Sequence, residues 1–255
     1  MDARWFHRLY RWIFPRAYLT YLAAPVVLTS SADITRDTKR LCFSFPDRYS
    51  FGVQCGQHVW CHLGEHRRAY TPTMHADGQF ELVVKRVPDG IVSGHLHRME
   101  VGQSLLMSGP GGRYAYLGGG IFAHKTAAMK HAGRILCICA GSGITPIYAV
   151  LRRVLLIDNG AVRVKVLYVN KTVDDVILRA ELDEMCPTVE CHYSLTQPLP
   201  GWSGLVGRPS VEMVAGVANP ERDEVVLICG STAFNLRISD HCLELGYDRH
   251  RLVLF

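Results

Sequence analysis

Past residue 134 the chain alternates two rhythms. Ile135 to Ala140 is an unbroken apolar run, Ile144 to Ile157 carries apolar residues at helical spacing, and Val162 to Val169 is a second apolar run. Asp174 to Met185 reads as a helix, Val189 to Leu195 and Val225 to Cys229 as strands, Ala233 to Leu245 as a helix, and Leu252 to Phe255 as a last strand. Unbroken apolar strands are buried on both faces, and intervening helices supply the cover. The pattern therefore predicts an α/β domain over 134–255, a doubly wound and mostly parallel sheet. Ligands of such sheets bind beyond the carboxyl ends of the strands.

Residues 25–117 have another texture. Their apolar runs are short, at Val26 to Leu28, Leu41 to Phe45, His58 to Leu63, Phe80 to Val87 and Ser104 to Met107, with turn-rich stretches such as Pro88-Asp89-Gly90 between them. Short punctuated strands predict a small antiparallel β-barrel. Residues 118–133, which contain Gly118-Gly119-Gly120, read as a linker. Two domains suit a chain of 255 residues, and 48% apolar with 20% charged residues excludes a disordered, collagen-like or coiled-coil protein.

Residues 1–24 stand apart. Winding them at about 100° per residue places Arg4, Arg8 and Arg11 on one face and Trp5, Phe6, Leu9, Trp12 and Ile13 on the other. A basic amphipathic helix of this kind suits a membrane surface or a mitochondrial presequence, and equally a helix packed on its own domain. No run of roughly 18 apolar residues occurs, so a spanning helix is not expected. Lys plus Arg exceeds Asp plus Glu by 28 − 23 = 5, which favours anionic partners but falls short of a nucleic-acid-binding composition. Nine cysteines, an odd number without a C-x-x-C pair, point to a reducing compartment rather than a disulfide framework.

Two clusters can carry chemistry. Ala140-Gly141-Ser142-Gly143-Ile144-Thr145-Pro146 follows a strand and opens a helix. Glycines let the backbone turn tightly and approach an anion, and a helix start offers unpaired N–H groups. A merely tight strand-to-helix connection has the same composition. In Arg67-Arg68-Ala69-Tyr70-Thr71-Pro72 an arginine fork suits a pyrophosphate, a ring two residues on shares its face, and a hydroxyl can meet a heteroaromatic edge. The plain alternative is a surface arginine beside a core tyrosine.

In combination these segments resemble the ferredoxin-NADP reductase superfamily, most closely cytochrome b5 reductase and the flavin domain of eukaryotic nitrate reductase. R-A-Y-T-P stands at 68–72 and A-G-S-G-I-T-P at 140–146, where the family has R-x-Y-T-P and G-G-T-G-I-T-P. G-Q-H at 56–58, E-L-V-V-K at 81–85, S-G-P-G-G at 108–112, N-K-T at 170–172, I-L-R-A-E-L at 177–182, C-G at 229–230 and the terminal Phe255 match in order. The resemblance implies an FAD barrel before a nicotinamide-binding domain. Arg68 would hold the FAD pyrophosphate, Tyr70 lie against the isoalloxazine and Thr71 hydrogen-bond near its N5 edge. Val83, Val84 and Lys85 would run beside the flavin, and the loop from Gly90 through Val92 to Ser93 would meet the pyrophosphate. Gly141, Gly143 and Thr145 would admit the nicotinamide nucleotide, with Cys229 reaching toward its ring. Pro72, Pro146, Asn170, Thr172, Thr196, Gly230 and Phe255 are expected at the cofactors by the same matching.

The implied activity passes a hydride from NADH, with NADPH use left open, to flavin N5 and single electrons to a haem protein such as cytochrome b5. Enzymatic alternatives are an NADPH-linked reductase of quinones or ferric chelates. A relative that kept the fold but lost hydride transfer would be a binding module. The site implied is the cytoplasmic face of an intracellular membrane, endoplasmic reticulum or mitochondrial outer membrane, with mitochondrial import open.

Three departures matter. Cys229-Gly230-Ser231-Thr232-Ala233-Phe234 replaces the family's C-G-P-P-P-M, and Ala140 replaces the first glycine of the turn. Thr196 stands where NADH-preferring members commonly have Asp, and Lys171 and Arg179 could attract a 2′-phosphate. His58, His62, His66, His95 and His97 suggest a metal only weakly, since strand spacing separates them, and Cys137 and Cys139 read as core thiols.

Overall fold

The computed structural model of the protein describes residues 17–46, 49–76, 78–126, 130–158, 160–220 and 223–255. The amphipathic pattern of Arg4, Arg8, Arg11, Trp5, Phe6, Leu9, Trp12 and Ile13 lies outside the described residues. The chain divides into two compact units, residues up to Asp33 with Asp37–Gly111, and Ile34–Arg36 with Gly112–Phe255.

The first unit holds β1 (Ala24–Thr35), β2 (Thr38–Ser44), β3 (His58–Leu63), β4 (His66–Tyr70), β5 (Pro72–Ala76), β6 (Gln79–Lys85) and β7 (Ser104–Gly111). They form an antiparallel sheet in the order β4-β3-β7-β1-β2-β6-β5. Its edge strands β4 and β5 are consecutive in the chain with Thr71 alone between them, so the sheet must roll until its edges approach. That roll is the expected barrel, and it shields edges that would otherwise invite foreign strands. Val26, Leu28, Leu41, Phe43, Val59, Phe80, Leu82 and Met107 fill the interior, where the Phe43, Phe80 and Phe51 rings stack.

One helix interrupts what reads in sequence as strands and a phosphate loop. α1 (Ile91–Arg98) packs beside β3, β4 and β6 and sends Val92 and Leu96 into the barrel core. The i,i+4 pair of apolar residues is too short a stripe, with Gly94 inside it, to register as a helix in sequence.

The second unit opens with β8 (Tyr114–Gly118), β9 (Ile121–His124) and β10 (Lys130–His131), a three-stranded antiparallel sheet. This corrects the reading of 118–133 as a linker. Gly118, Gly119 and Gly120 have φ of +106°, +59° and +74°, so the glycine run forms the β8–β9 turn. Its packing explains the order: Tyr116 and Phe122 are buried against each other, and the Gly119 N–H donates to Asp158 Oδ1 at 2.7 Å.

The parallel sheet runs β14 (Leu205–Val206), β13 (Val189–Leu195), β12 (Arg163–Asn170), β11 (Arg134–Ala140), β15 (Glu224–Cys229), β16 (Leu252–Leu254). Helices α2 (Ile144–Ile157), α3 (Arg179–Glu184), α4 (Val211–Ala215) and α5 (Thr232–Glu244) connect the strands. The α2 crossover steps from β11 to β12 and the α5 crossover steps the opposite way, so right-handed connections put the two helices on opposite faces. Leu136, Ile138, Leu167, Val226 and Ile228 pack with Val214 of α4 and Ile238 of α5. Cys137 and Cys139 are buried on the α2 side, as core thiols. The helix expected over Asp174–Met185 is broken: a 3₁₀ turn closes at Asp175 under a Thr172–Asp175 capping box, and Leu178 has φ +59° before α3 begins.

Candidate functional site

Strand pairing decides which arginine of the Arg67-Arg68 pair can serve a ligand beside Tyr70. Arg68 stands opposite Cys61 and Tyr70 opposite Val59, so both share the face of those buried residues. Arg67 stands opposite His62 on the other face, its guanidinium 4.8 Å from the centre of the Trp60 ring. Arg68 is exposed, with Nη1 donating to the Arg67 carbonyl at 2.8 Å. Tyr70 is half-buried against the barrel core. Burial, and then Cys61, push its phenol well up, against the lowering effect of Arg68, so it stays a neutral donor. Pro72 opens β5 opposite Leu82. Val83 and Val84 are buried, and Lys85 is ion-paired to Asp37 at 3.3 Å.

Around Gly90 the loop closes on itself. The Gly90 N–H donates to the Val87 carbonyl at 3.0 Å, and the Ser93 hydroxyl accepts from the Val87 N–H at 3.2 Å and donates to the Gly90 carbonyl at 3.3 Å. A Cβ at Gly90 would lie 2.5 Å from Ser93 Oγ, which is why glycine stands there. No side chain caps α1, so its first N–H groups face outward with the positive end of the helix dipole. Ser93 thus braces the loop with its hydroxyl and has its amide left for an anion. The unit offers Arg68 and a bare helix N-terminus for a pyrophosphate, and Tyr70 for a ring.

In the second unit the order of strands reverses at β11, because β12 and β15 flank it on either side. The A-G-S-G-I-T-P turn lies there. Ala140 has φ −136° and ψ 135°, ordinary extended backbone, so alanine costs nothing at the family's first glycine. Gly141 carries the positive φ, +53°. Gly143 answers a different demand: a Cβ there would lie 2.2 Å from the Cys229 carbonyl oxygen. The Tyr168 hydroxyl donates to the Gly141 carbonyl at 2.9 Å and accepts from the Ile177 N–H at 3.3 Å. Sequence reasoning missed this brace, whose only trace is one tyrosine in an aliphatic strand. Thr145 and Pro146 are buried in the first turn of α2, and the Thr145 hydroxyl donates to the Ser142 carbonyl at 3.2 Å.

Asn170 ends β12. Its side chain is buried, and both carboxamide atoms lack a hydrogen bond among the described residues. Two unmet polar atoms carry a desolvation cost that a polar ligand at this strand end would offset. Thr172 uses its hydroxyl on Asp175, at 2.8 Å, and so shapes the following turn. Cys229 ends β15 with its thiol pushed up to about 12 by burial, so it stays protonated and uncharged at neutral pH. Gly230 is pressed on the Phe234 ring, where a Cβ would lie 2.5 Å away. Ser231 caps α5, its Oγ accepting from the Phe234 N–H at 3.2 Å, which supplies order where the family has proline. The Phe255 N–H donates to the Ile228 carbonyl at 3.1 Å, and its own oxygen accepts from Asn235 Nδ2 at 3.4 Å, fixing the terminus beside β15. The Asn235 Oδ1 is buried without a hydrogen bond among the described residues, a further unmet atom that sequence reasoning missed.

Thr196 extends the strand end, its N–H donating to the Asn170 carbonyl at 3.0 Å. Lys171 is exposed. Arg179 is 3.6 Å from Asp183 and its guanidinium lies 5.7 Å from the centre of the Tyr193 ring. His62 meets Ser108 at 2.8 Å and His97 the Val84 carbonyl at 2.8 Å. Among the described residues no three potential ligands gather as for a metal.

Residues 25–116 match the family described as oxidoreductase FAD-binding domain, and residues 137–239 that described as oxidoreductase NAD-binding domain. The chain is 32% identical over 233 residues to NADH-cytochrome b5 reductase 1 of Arabidopsis thaliana, covering 86% of this chain and 79% of that protein. The chain belongs to the cytochrome b5 reductase family. The cytochrome b5 reductase domain of Ulva prolifera nitrate reductase superposes with a TM-score of 0.85 at 26% identity, over 94% of this chain and 100% of that one. The NADPH nitrate reductase of Beauveria bassiana is 30% identical, over 90% of this chain but only 28% of its own length. This cytochrome b5 reductase family member is therefore an NAD(P)H-dependent flavoprotein oxidoreductase binding FAD and NADH, with NADPH use open. Its residues fit both groups: the bare α1 terminus with Arg68 and Tyr70 in one unit, and the glycine turn with the unmet Asn170 carboxamide in the other.

Proposed function

We propose that the protein draws electrons from NAD(P)H and delivers them to a haem protein such as cytochrome b5. What carries this reading is a single chain with two nucleotide cradles, each held open by a glycine whose Cβ would collide with the cradle wall. When bound, FAD accepts a hydride from the reduced nicotinamide and releases electrons one at a time.

The chain's own part is binding and orientation. Arg68 and the amides of Ile91, Val92 and Ser93 neutralise a pyrophosphate, while Gly90 keeps that loop tight. Tyr70 and Thr71 hold the ring system with uncharged donors, beside Val83, Val84 and Lys85, and Pro72 stiffens the strand that follows. Gly141 and Gly143 bring amides to the dinucleotide, and Thr145 and Pro146 anchor the helix behind them. Asn170, Thr172 and Thr196 line the end of β12 and its neighbour, and Cys229, Gly230 and Phe255 border the nicotinamide end. A neutral thiol at Cys229 adds no charge next to a ring that becomes cationic on oxidation. No general base is needed, because hydride transfer requires only stacked rings and excluded water.

Purified protein should be yellow. Its flavin absorbance should bleach anaerobically with NADH or NADPH and return on adding oxidised cytochrome b5. Colourless protein that stays free of flavin in excess FAD would instead support the binding-module reading. Faster return with quinones or ferric chelates than with cytochrome b5 would favour that class of acceptor.

Thr196 favours tolerance of NADPH, since it puts no carboxylate near a 2′-phosphate. Thr196→Asp should lower kcat/KM for NADPH relative to NADH about tenfold, or ~1.4 kcal/mol. An unmoved ratio in steady-state assays contradicts this placement of Thr196.

Residues 1–24 supply the membrane contact in this reading, at the cytoplasmic face of the endoplasmic reticulum or mitochondrial outer membrane. Support comes from the arginine and aromatic faces in sequence. No helix among the described residues is long and apolar enough to cross a membrane. Deleting residues 1–16, which leaves Leu19 buried in the barrel core, should move the protein from the membrane to the soluble fraction, and unchanged partitioning removes the anchor.

A further inference from the structure

Tyr168 stands in the aliphatic strand β12 with its side chain wholly buried. Burying a hydroxyl is costly unless it is bonded, and this one is bonded twice, donating to the Gly141 carbonyl at 2.9 Å and accepting from the Ile177 N–H at 3.3 Å. Burial above all holds the phenol well above its usual range, so it stays a protonated donor. The segment that carries Ile177 is itself fixed. Asp175 Oδ2 accepts from the Thr172 N–H at 3.2 Å and from the Thr172 hydroxyl at 2.8 Å, and Asp175 Oδ1 accepts from Arg36 Nη2 at 2.9 Å. The Tyr168 hydroxyl thus ties the glycine turn after β11 to the turn after Thr172, two segments remote in sequence.

The glycine turn needs such a tie. A Cβ at Gly141 would meet nothing within 4 Å, so no wall holds the turn there, whereas Gly143 is pressed against the Cys229 backbone. With φ +53° and no side chain, Gly141 lets the peptide that joins it to Ser142 rotate at little steric cost. The Ile144 N–H also reaches the Gly141 carbonyl but is shared with the Ser142 carbonyl, so Tyr168 supplies the bond from outside the turn. A peptide is planar and trans, and its C=O and N–H point in opposite directions. Drawing the Gly141 carbonyl inward to Tyr168 therefore turns the Ser142 N–H outward, and Ser142 is exposed. A rotated peptide would offer an anion a carbonyl oxygen in place of an N–H.

We propose that Tyr168 is a positioning residue of the dinucleotide site proposed above, on which this inference rests: its hydroxyl fixes the Gly141–Ser142 peptide with the N–H outward, toward the phosphates of the nicotinamide nucleotide.

The test compares Tyr168→Phe with Tyr247→Phe in the full chain with FAD bound. Each removes one buried hydroxyl from the second unit, but that of Tyr247 serves Glu224, at the opposite end of β15 from Cys229. Both variants should lower the Tm, and only Tyr168→Phe should disturb the turn. Its dissociation constant for NAD⁺, by calorimetry, and its KM for NADH should rise about five- to tenfold, with kcat at saturation within about twofold of the wild type and flavin content unchanged. Amide hydrogen exchange without dinucleotide should quicken in the peptides covering Gly141 to Thr145 and Ile177. An unchanged NAD⁺ constant in Tyr168→Phe, whatever its Tm, or an equal rise in Tyr247→Phe, overturns the proposal. Neither binding nor exchange depends on turnover, so a chain that takes up NAD⁺ yet delivers no electrons refutes the proposed electron transfer alone.

Discussion

Arg68→Ala should weaken FAD retention roughly 10- to 100-fold, while Arg67→Ala leaves it within about threefold. The difference comes from strand parity. Arg68 shares its face with Tyr70, whereas Arg67 lies over Trp60 on the opposite face. A hydrogen bond to a charged group contributes about 1.5–3 kcal/mol, and each ~1.4 kcal/mol is tenfold in affinity. Flavin content after gel filtration and titration of the apoprotein with FAD, followed by fluorescence, measure it. Equal flavin retention in the wild type and Arg68→Ala, or a larger loss in Arg67→Ala, would refute the placement. The difference between Arg68→Ala and the wild type should shrink at high salt, since the exposed arginine provides the screened part of the binding and both proteins keep the α1 amides.

Gly143→Ala should destabilise the protein by about 1–3 kcal/mol and raise KM for NADH at least tenfold. The added methyl would lie 2.2 Å from the Cys229 carbonyl oxygen and 2.6 Å from its carbon, both backbone atoms of a central strand that cannot swing aside. Relief requires the turn or the end of β15 to move, and in the proposed function both border the dinucleotide. Gly141→Ala is the contrast. It meets open space but must hold φ +53°, a strain of about 1 kcal/mol, so it should cost less stability. Ala140→Gly should gain nothing, because that backbone is already extended. Thermal unfolding ranks the three variants, and steady-state turnover at varied NADH gives the KM. Equal Tm values for Gly143→Ala and the wild type would refute the clash.

Where elements are long and one-sided, the sequence is a good guide. Ile144–Ile157 is helical over the expected span and Val189–Leu195 is a strand over the expected span. Short elements escape, because a few residues carry little periodic signal. α1 hides behind Gly94 and two histidines, and α4 spans only Val211–Ala215. The glycines at 118–120 look like flexible spacer but form a turn, since buried Tyr116 and Phe122 give the flanking strands a core of their own. The helix expected from Asp174 fails because Thr172 and Asp175 satisfy each other locally and end the first turn.

The sites divide in the same way. The motifs around Tyr70 and Gly143 are visible as letters, but the letters do not say why each is needed. Ala140 looks like a departure and is conformationally neutral, and Ser231 looks like a loss and caps a helix. Tyr168, Asn170 and Asn235 could not be ranked from sequence, because their significance lies in which atoms find partners after folding.

From the order of its residues alone, this chain is committed to a barrel followed by a parallel sheet, with a glycine turn after the sheet's first strand. Local periodicity and turn chemistry are enough to fix these, because they act between near neighbours. Which arginine shares a face with Tyr70 and why Gly143 admits no methyl were decided only by tertiary structure. Each depends on strand register or on contact between segments distant in sequence, and such contacts exist only once the backbone has closed around them.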